Sequence, residues 1–134
     1  MTNTILALEK DLFFAVRIHD TLRHHDIEAT TVRNLRTFEQ RLEGDNRPDL
    51  VIVNISTQGV DWEAAIRMAR AHNRPVLAFG SHMDLEARSK ALQAGAQKVV
   101  ANSKFTSDML GLVTSLLGQP TTESAIPERA DDEA

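Results

Sequence analysis

Pro48-Asp49-Leu50-Val51-Ile52-Val53-Asn54-Ile55 is the stretch on which the fold turns. Residues 50–53 are consecutive aliphatics with no polar position to turn toward water, so a strand built from them is covered on both faces. Such a strand belongs in the middle of a parallel sheet, whose neighbours are joined by crossover helices. The flanking sequence supplies those units. Upstream, Ile5-Leu6-Ala7-Leu8 is a short apolar run. Residues 11–25 then place Phe14, Ile18 and Leu22 at helical spacing, with Ala15 and Val16 beside them. Glu28 to Val32 is a weaker, threonine-rich strand suited to an edge. Thr37-Phe38-Glu39-Gln40 matches a capping box and predicts a short helix ending near Gly44.

Downstream, Asp61 is placed to cap a helix running to about Asn73. Its Trp62, Ala65, Ile66 and Ala69 recur at i, i+3, i+4 and i+7. Pro75 to Phe79 reads as a fourth strand. Asp84 is expected to open the fourth helix and Gly95 to close it as a left-handed cap. Lys98 to Ala101 is a fifth strand, and Ser107 to Leu117 the fifth helix. Five βα units with short loops predict an α/β fold: a doubly wound, five-stranded parallel sheet with helices on both faces, over residues 1–118. In such sheets the working site lies beyond the carboxyl ends of the strands.

Bulk composition narrows the function. Apolar residues make up 42% of the chain but aromatics only 4%, which predicts a core of Leu, Val, Ile and Ala rather than aromatic stacking. With no cysteine, disulfides and thiolate chemistry are excluded. No stretch reaches the roughly 20 apolar residues of a membrane helix, and no signal peptide is evident, so no membrane and a cytoplasmic setting are expected. From Pro120 onward there are five acids and one base, leaving residues 1–119 with fourteen of each. A neutral body with an acidic tail argues against nucleic acid as a partner. Residues 119–134 hold two prolines and one sizeable apolar side chain, Ile126, and are expected to be a disordered acidic tail.

The chain resembles the receiver domains of two-component response regulators. Five pieces carry the likeness over residues 4–118: Ile5 to Asp11, Pro48 to Asn54, Pro75 to Ser81, Asp84 through Leu92-Gln93-Ala94-Gly95-Ala96, and Val99 to Phe105. The resemblance implies a (βα)5 three-layer sandwich with a phosphorylation pocket. There, acids after the first strand hold Mg²⁺ and an aspartate ending the third strand accepts the phosphoryl group. A hydroxyl ends the fourth strand and a lysine the fifth. The metal and ammonium would neutralise charge developing on the phosphoryl oxygens.

This sequence departs from that set. Glu9 matches the first acid, but Lys10 stands where the second is expected, with Asp11 next. Asn54 holds the phosphoacceptor position, Gly80 that of the hydroxyl (Ser81 follows), and Asn102 that of the lysine. Glu9, Lys10, Asp11, Asn54, Gly80, Ser81 and Asn102 therefore form a degenerate pocket with no metal, cofactor or catalytic residue assigned. Lys10 is expected either to pair with Glu9 or Asp11 in place of the metal's charge, or to lie solvated. His24-His25, with His19 and Asp26 nearby, have poor chelating spacing and read as a solvated helix end. Asp20, Ser56 and Ser81 lack any hydrolase signature and are taken as structural.

The expectation for function is a non-enzymatic, phosphorylation-independent receiver-like module of bacterial two-component or phosphorelay signalling, acting by protein–protein contact. With about 16 residues after the last helix, its output is expected to be a partner, itself, or a domain encoded elsewhere. The resemblance directs attention to the face of the fourth helix, fifth strand and fifth helix, where Arg88, Lys90, Gln93, Lys98, Lys104 and Asp108 suit a protein partner or a homodimer. The alternative is a small-ligand sensor in which Asn54, Asn102 and Ser81 hydrogen-bond a nucleotide or metabolite.

Overall fold

The computed structural model describes residues 3–45, 47–81 and 85–118. Asp84, His82 and the acidic segment 119–134 lie outside the described residues. The elements run β1 (Asn3–Leu8), α1 (Leu12–Arg23), β2 (Ile27–Val32), α2 (Leu35–Glu43), β3 (Leu50–Asn54) and α3 (Trp62–Ala71). They continue with β4 (Val76–Gly80), α4 (Leu85–Ala94), β5 (Lys98–Ala101), α5 (Asn102–Ser107) and α6 (Met109–Leu117). All pairings are parallel and the strand order is β2-β1-β3-β4-β5. The doubly wound α/β sheet is thus confirmed, with β3 at its centre and the threonine-rich β2 at one edge. Leu50, Val51, Ile52 and Val53 are wholly buried, as two covered faces require.

Side-chain alternation divides the core into two layers. Ile5, Ala7, Ile52 and Phe79 face α1, α5 and α6, against Ile18, Leu22, Phe105 and Val113. Leu6, Leu8, Val51, Val53 and Ala78 face the other way, against Phe38 and Leu42 of α2, Ala65, Ile66 and Ala69 of α3, and Ala91 and Ala94 of α4. The purely aliphatic core is corrected in one respect. Phe79 and Phe105 stack at 3.9 Å with near-parallel rings, and Phe14 tilts against Phe79 at 5.5 Å. Three of five phenylalanines therefore share one column, which composition does not reveal because aromatic content carries no position.

Two local expectations are also corrected. The second helix starts at Leu35, two residues before the supposed cap: the Asn34 side chain accepts the Thr37 N–H at 2.8 Å. Thr37 thus lies inside the first turn, and asparagine wins the capping role it fills as well as threonine does. The last helical segment divides, because Asn102–Ser107 is already helical before a break at Asp108. Asp11 and Asp61 cap α1 and α3, accepting the N–H groups of Phe13 and Ala64. Gly95 has φ of +120°, and a Cβ there would collide with the Arg70 side chain, so both backbone and packing favour glycine.

Candidate functional site

The strand order reverses direction between β1 and β3, and the loops leaving their carboxyl ends diverge to open a crevice there. Glu9 follows β1 and Asn54 ends β3. Both are buried polar residues, at 2% and 6% exposure, at the floor of this crevice. The Asn54 Nδ2 donates to Glu9 Oε1 at 2.9 Å and Oε2 at 3.1 Å. Its Oδ1 accepts the Ser56 N–H at 2.9 Å, and Glu9 Oε2 also accepts the Asp11 N–H at 2.9 Å. These partners fix the amide's orientation. Turned over, it would set an oxygen against a carboxylate and an NH₂ against an N–H.

Burial dominates the titration of Glu9 and raises its pKa above the ordinary 4.5. The hydrogen bonds from the Asp11 backbone and Asn54 oppose that rise, and the neighbouring Asp11 charge adds to it.

The chain of bonds continues to β4. The Ser81 N–H donates to Ser56 Oγ at 2.7 Å, and the two hydroxyls lie 3.1 Å apart. Gly80 makes this approach possible, since a Cβ there would stand 2.9 Å from Ile55 Cγ1 and 3.0 Å from Ser56 Oγ. A side chain at position 80 would push the β3–α3 loop away. The ends of β1, β3 and β4 are thereby clasped through Glu9, Asn54, Ser56 and Ser81.

Lys10 turns outward. Its ammonium donates to the Gln58 carbonyl at 3.4 Å and is paired with neither Glu9 nor Asp11. Of the two expectations for Lys10, this agrees with the solvated one: Glu9 is buried beside an amide, while Lys10 is exposed at the rim, where water solvates an ammonium at lower cost. Asn102 opens α5 with its Oδ1 buried and unpartnered, and the Thr57 Oγ1 is in the same condition.

The crevice has a volume of about 480 Å³. Glu9, Lys10, Asp11, Asn54, Ser81 and Asn102, all named from sequence, line it together; Gly80 acts from behind, through the packing it permits. Phe14, Ser56, Thr57 and Gln58 also line it and were not among the predicted pocket residues. The available signal was proximity: Ser56 to Gln58 leave the same strand end as Asn54. Asp20 lies instead on the exposed side of α1, 3.5 Å from His19, and does not line the crevice.

The Mg²⁺ that the resemblance implies does not fit these residues. The Asn54 NH₂ occupies the approach to both Glu9 oxygens, Lys10 replaces an acid, and Asp11 Oδ1 is engaged in capping α1. Among the described residues no group of three or more His, Cys, Asp or Glu is placed to hold a metal.

The proposed interaction face is dispersed. Lys90 pairs with Glu86 at 3.6 Å along α4, and Lys104 with Asp108 at 3.6 Å across the α5–α6 break. Arg88 and Lys98 are half-exposed and Gln93 exposed. Apolar exposure occurs at Leu85 and Leu92 on α4 and at Leu12, Phe13 and Val16 on α1. No described helix is long and apolar enough to cross a membrane.

No protein-family model and no curated protein sequence matches the chain. Solved structures do. A candidate response regulator from Chloroflexus aurantiacus aligns with 89% of this chain and all of its own at TM-score 0.79 and 21% identity. The signal receiver domain of a histidine kinase from Syntrophus aciditrophicus aligns over 94% of this chain and 98% of its own at TM-score 0.76 and 24% identity. NtrX from Brucella abortus matches 87% of this chain at TM-score 0.77 and 19% identity, and there the aligned part is 27% of the larger chain. The receiver-like fold is established by this likeness.

Two predictions follow from the floor of the crevice. In Asn54→Asp, two carboxylates would meet where an amide now donates, at a cost of about 1–3 kcal/mol in metal-free buffer. Thermal unfolding with and without Mg²⁺ should show the variant destabilised and rescued by the ion, and the native chain indifferent to it. The second concerns pH. Because the folded chain holds the Glu9 proton more tightly than the unfolded one, the contribution of Glu9 is fully present below pH 4.5. It declines as pH rises through the elevated folded value. Urea unfolding of the native chain and Glu9→Gln at successive pH values should show the difference moving in favour of the native chain as pH falls. A pH-independent difference would refute the assignment.

Proposed function

We propose, on the premise of the receiver fold, that this chain is a non-enzymatic signalling module that works without accepting a phosphoryl group and passes its state on by protein–protein contact. One observation carries the proposal: the Asn54 amide, at the phosphoacceptor position, has both ends committed to hydrogen bonds. A carboxamide oxygen is a weak nucleophile with no charge to draw a cation, and this one already accepts the Ser56 N–H. The positions expected to stabilise a transferred phosphoryl group add to the case, since Asn102 is neutral and Lys10 points to the Gln58 carbonyl. The clasp from Glu9 to Ser81 joins the two loops that border the crevice, and holds them without metal or phosphoryl.

For the contact itself, α4 is the favoured element. Leu85 and Leu92 lie seven residues apart on one helical face and are exposed at 75% and 41%. Arg88, Lys90 and Gln93 surround them, with Lys98, Lys104 and Asp108 on the following segments. An apolar centre within a mixed-charge rim suits a specific partner or a second copy of this chain. A bacterial, cytoplasmic two-component setting completes the proposal.

Incubation with acetyl phosphate or beryllofluoride plus Mg²⁺ tests the first part. Intact-mass measurement should find no phosphoryl adduct, and the fluorescence of Trp62, half-buried at the start of α3, should not change with Mg²⁺. A stable adduct would overturn the proposal. For the second part, Leu85→Asp with Leu92→Asp should abolish self-association or partner capture, read by sedimentation velocity, with an unchanged melting temperature. Retention of the contact in that variant, with its loss in Phe13→Asp, would move the interface to α1.

A further inference from the structure

We infer that the crevice at the ends of β1, β3 and β4 is a binding site for a small N–H donor without an anionic group, such as a primary amide or alkylammonium. The inference rests on the proposal that this pocket is not phosphorylated, and names what would regulate it instead. The volume, about 480 Å³, falls within the range of small-molecule pockets. The polar floor of Glu9 and Asn54 is hydrogen-bonded and rigid, and Phe14 provides an apolar wall anchored on Phe79.

Two atoms determine the ligand class. Asn102 Oδ1 and Thr57 Oγ1 are buried without a partner, although both residues line the crevice. Burying an unsatisfied polar atom is costly, and native proteins rarely leave one so. Both side chains reach the wall of the crevice, so a ligand that donates an N–H would satisfy either oxygen if the side chain turned it toward the open space. The Asn102 carbonyl oxygen can only accept, so the ligand must bring an N–H or O–H.

The same surroundings disfavour an anion. Glu9 lies at the floor and the Asp11 carboxylate at the mouth, the N-terminus of α1 is already capped by Asp11, and the Lys10 ammonium is directed to Gln58. A phosphate or carboxylate would meet two acids against a single ammonium, that of Lys10 at the rim, which already donates to the Gln58 carbonyl. An ammonium or amide meets acceptors: the Asn102 oxygen, the hydroxyls of Thr57, Ser56 and Ser81, and the free carboxylate positions.

The test uses the full chain, ¹⁵N-labelled, titrated with propionamide, ethylammonium and propionate. The first two should shift the Asn102 side-chain amide and the backbone resonances of Thr57 and Ser81, saturating in the millimolar range expected of so few atoms. Propionate, close in shape to propionamide, should leave them in place. Thr57→Val and Asn102→Leu should each weaken the amide by roughly threefold to tenfold, the loss of one hydrogen bond. Thr57→Val is nearly isosteric and keeps the test valid should Asn102→Leu disturb α5. Propionate binding as well as propionamide, or unmoved pocket resonances with either donor, would overturn this inference alone. A phosphoryl adduct from acetyl phosphate would overturn both it and the proposal on which it rests.

Discussion

A buried carboxylate and a buried carboxamide, joined by two hydrogen bonds at the ends of adjacent strands, are the constraint from which the rest of this structure follows. Glu9 and Asn54 are held together by the pairing of β1 with β3, which aligns Leu8 with Val53 one residue earlier. At 2% and 6% exposure, neither side chain can exchange its partner for bulk water. A second acid at position 54 would need a cation between the two groups, whereas an amide brings its own donors. The same amide accepts the Ser56 N–H, and through Ser56 the bonding reaches Ser81 at the end of β4. One residue thus links three strand ends and fixes the course of the β3–α3 loop.

This arrangement separates fold from chemistry. The receiver-like sheet is intact, with TM-scores near 0.8 to a solved response regulator and a solved receiver domain at under one-quarter identity. The residues at the strand ends compose a different environment: a neutral amide network floored by one acid whose proton affinity is raised by burial. Gly80 shows how closely the parts are fitted, because the space a larger residue would occupy is taken by Ile55 and Ser56. The proposal of a phosphorylation-independent module and the inference of an amide or amine ligand both begin from that replacement, the first from the bonds Asn54 makes and the second from those Asn102 and Thr57 lack.

Much of the architecture was legible because burial writes itself into hydrophobic pattern. The unbroken 50–53 run placed β3 at the centre, the threonines placed β2 at an edge, and Ala65, Ile66 and Ala69 marked the inner face of α3. The misreadings came where several local patterns compete. Thr37 and Asn34 can both cap a helix, and only the backbone at Asn34, extended with φ of −145°, decides between them. Val16, grouped with the inner face of α1 by adjacency, is 49% exposed. At the site, the seven pocket residues were identified by position at strand ends, but Ser56, Thr57 and Gln58 were not, because a loop's return path carries no periodicity.

By itself, the sequence determined which residues stand at the mouth of the sheet and that position 54 carries an amide rather than an acid. It did so because strand period and aliphatic runs are local properties of the chain. Only the tertiary structure decided what those side chains do: that Asn54 turns its NH₂ to Glu9, that Lys10 donates to the Gln58 carbonyl at the rim, and that Asn102 and Thr57 keep buried oxygens without partners. These outcomes depend on distances between segments some 45 residues apart. A hydrogen bond is made or lost over less than an ångström, a scale on which sequence spacing says nothing until the sheet has set the strands side by side.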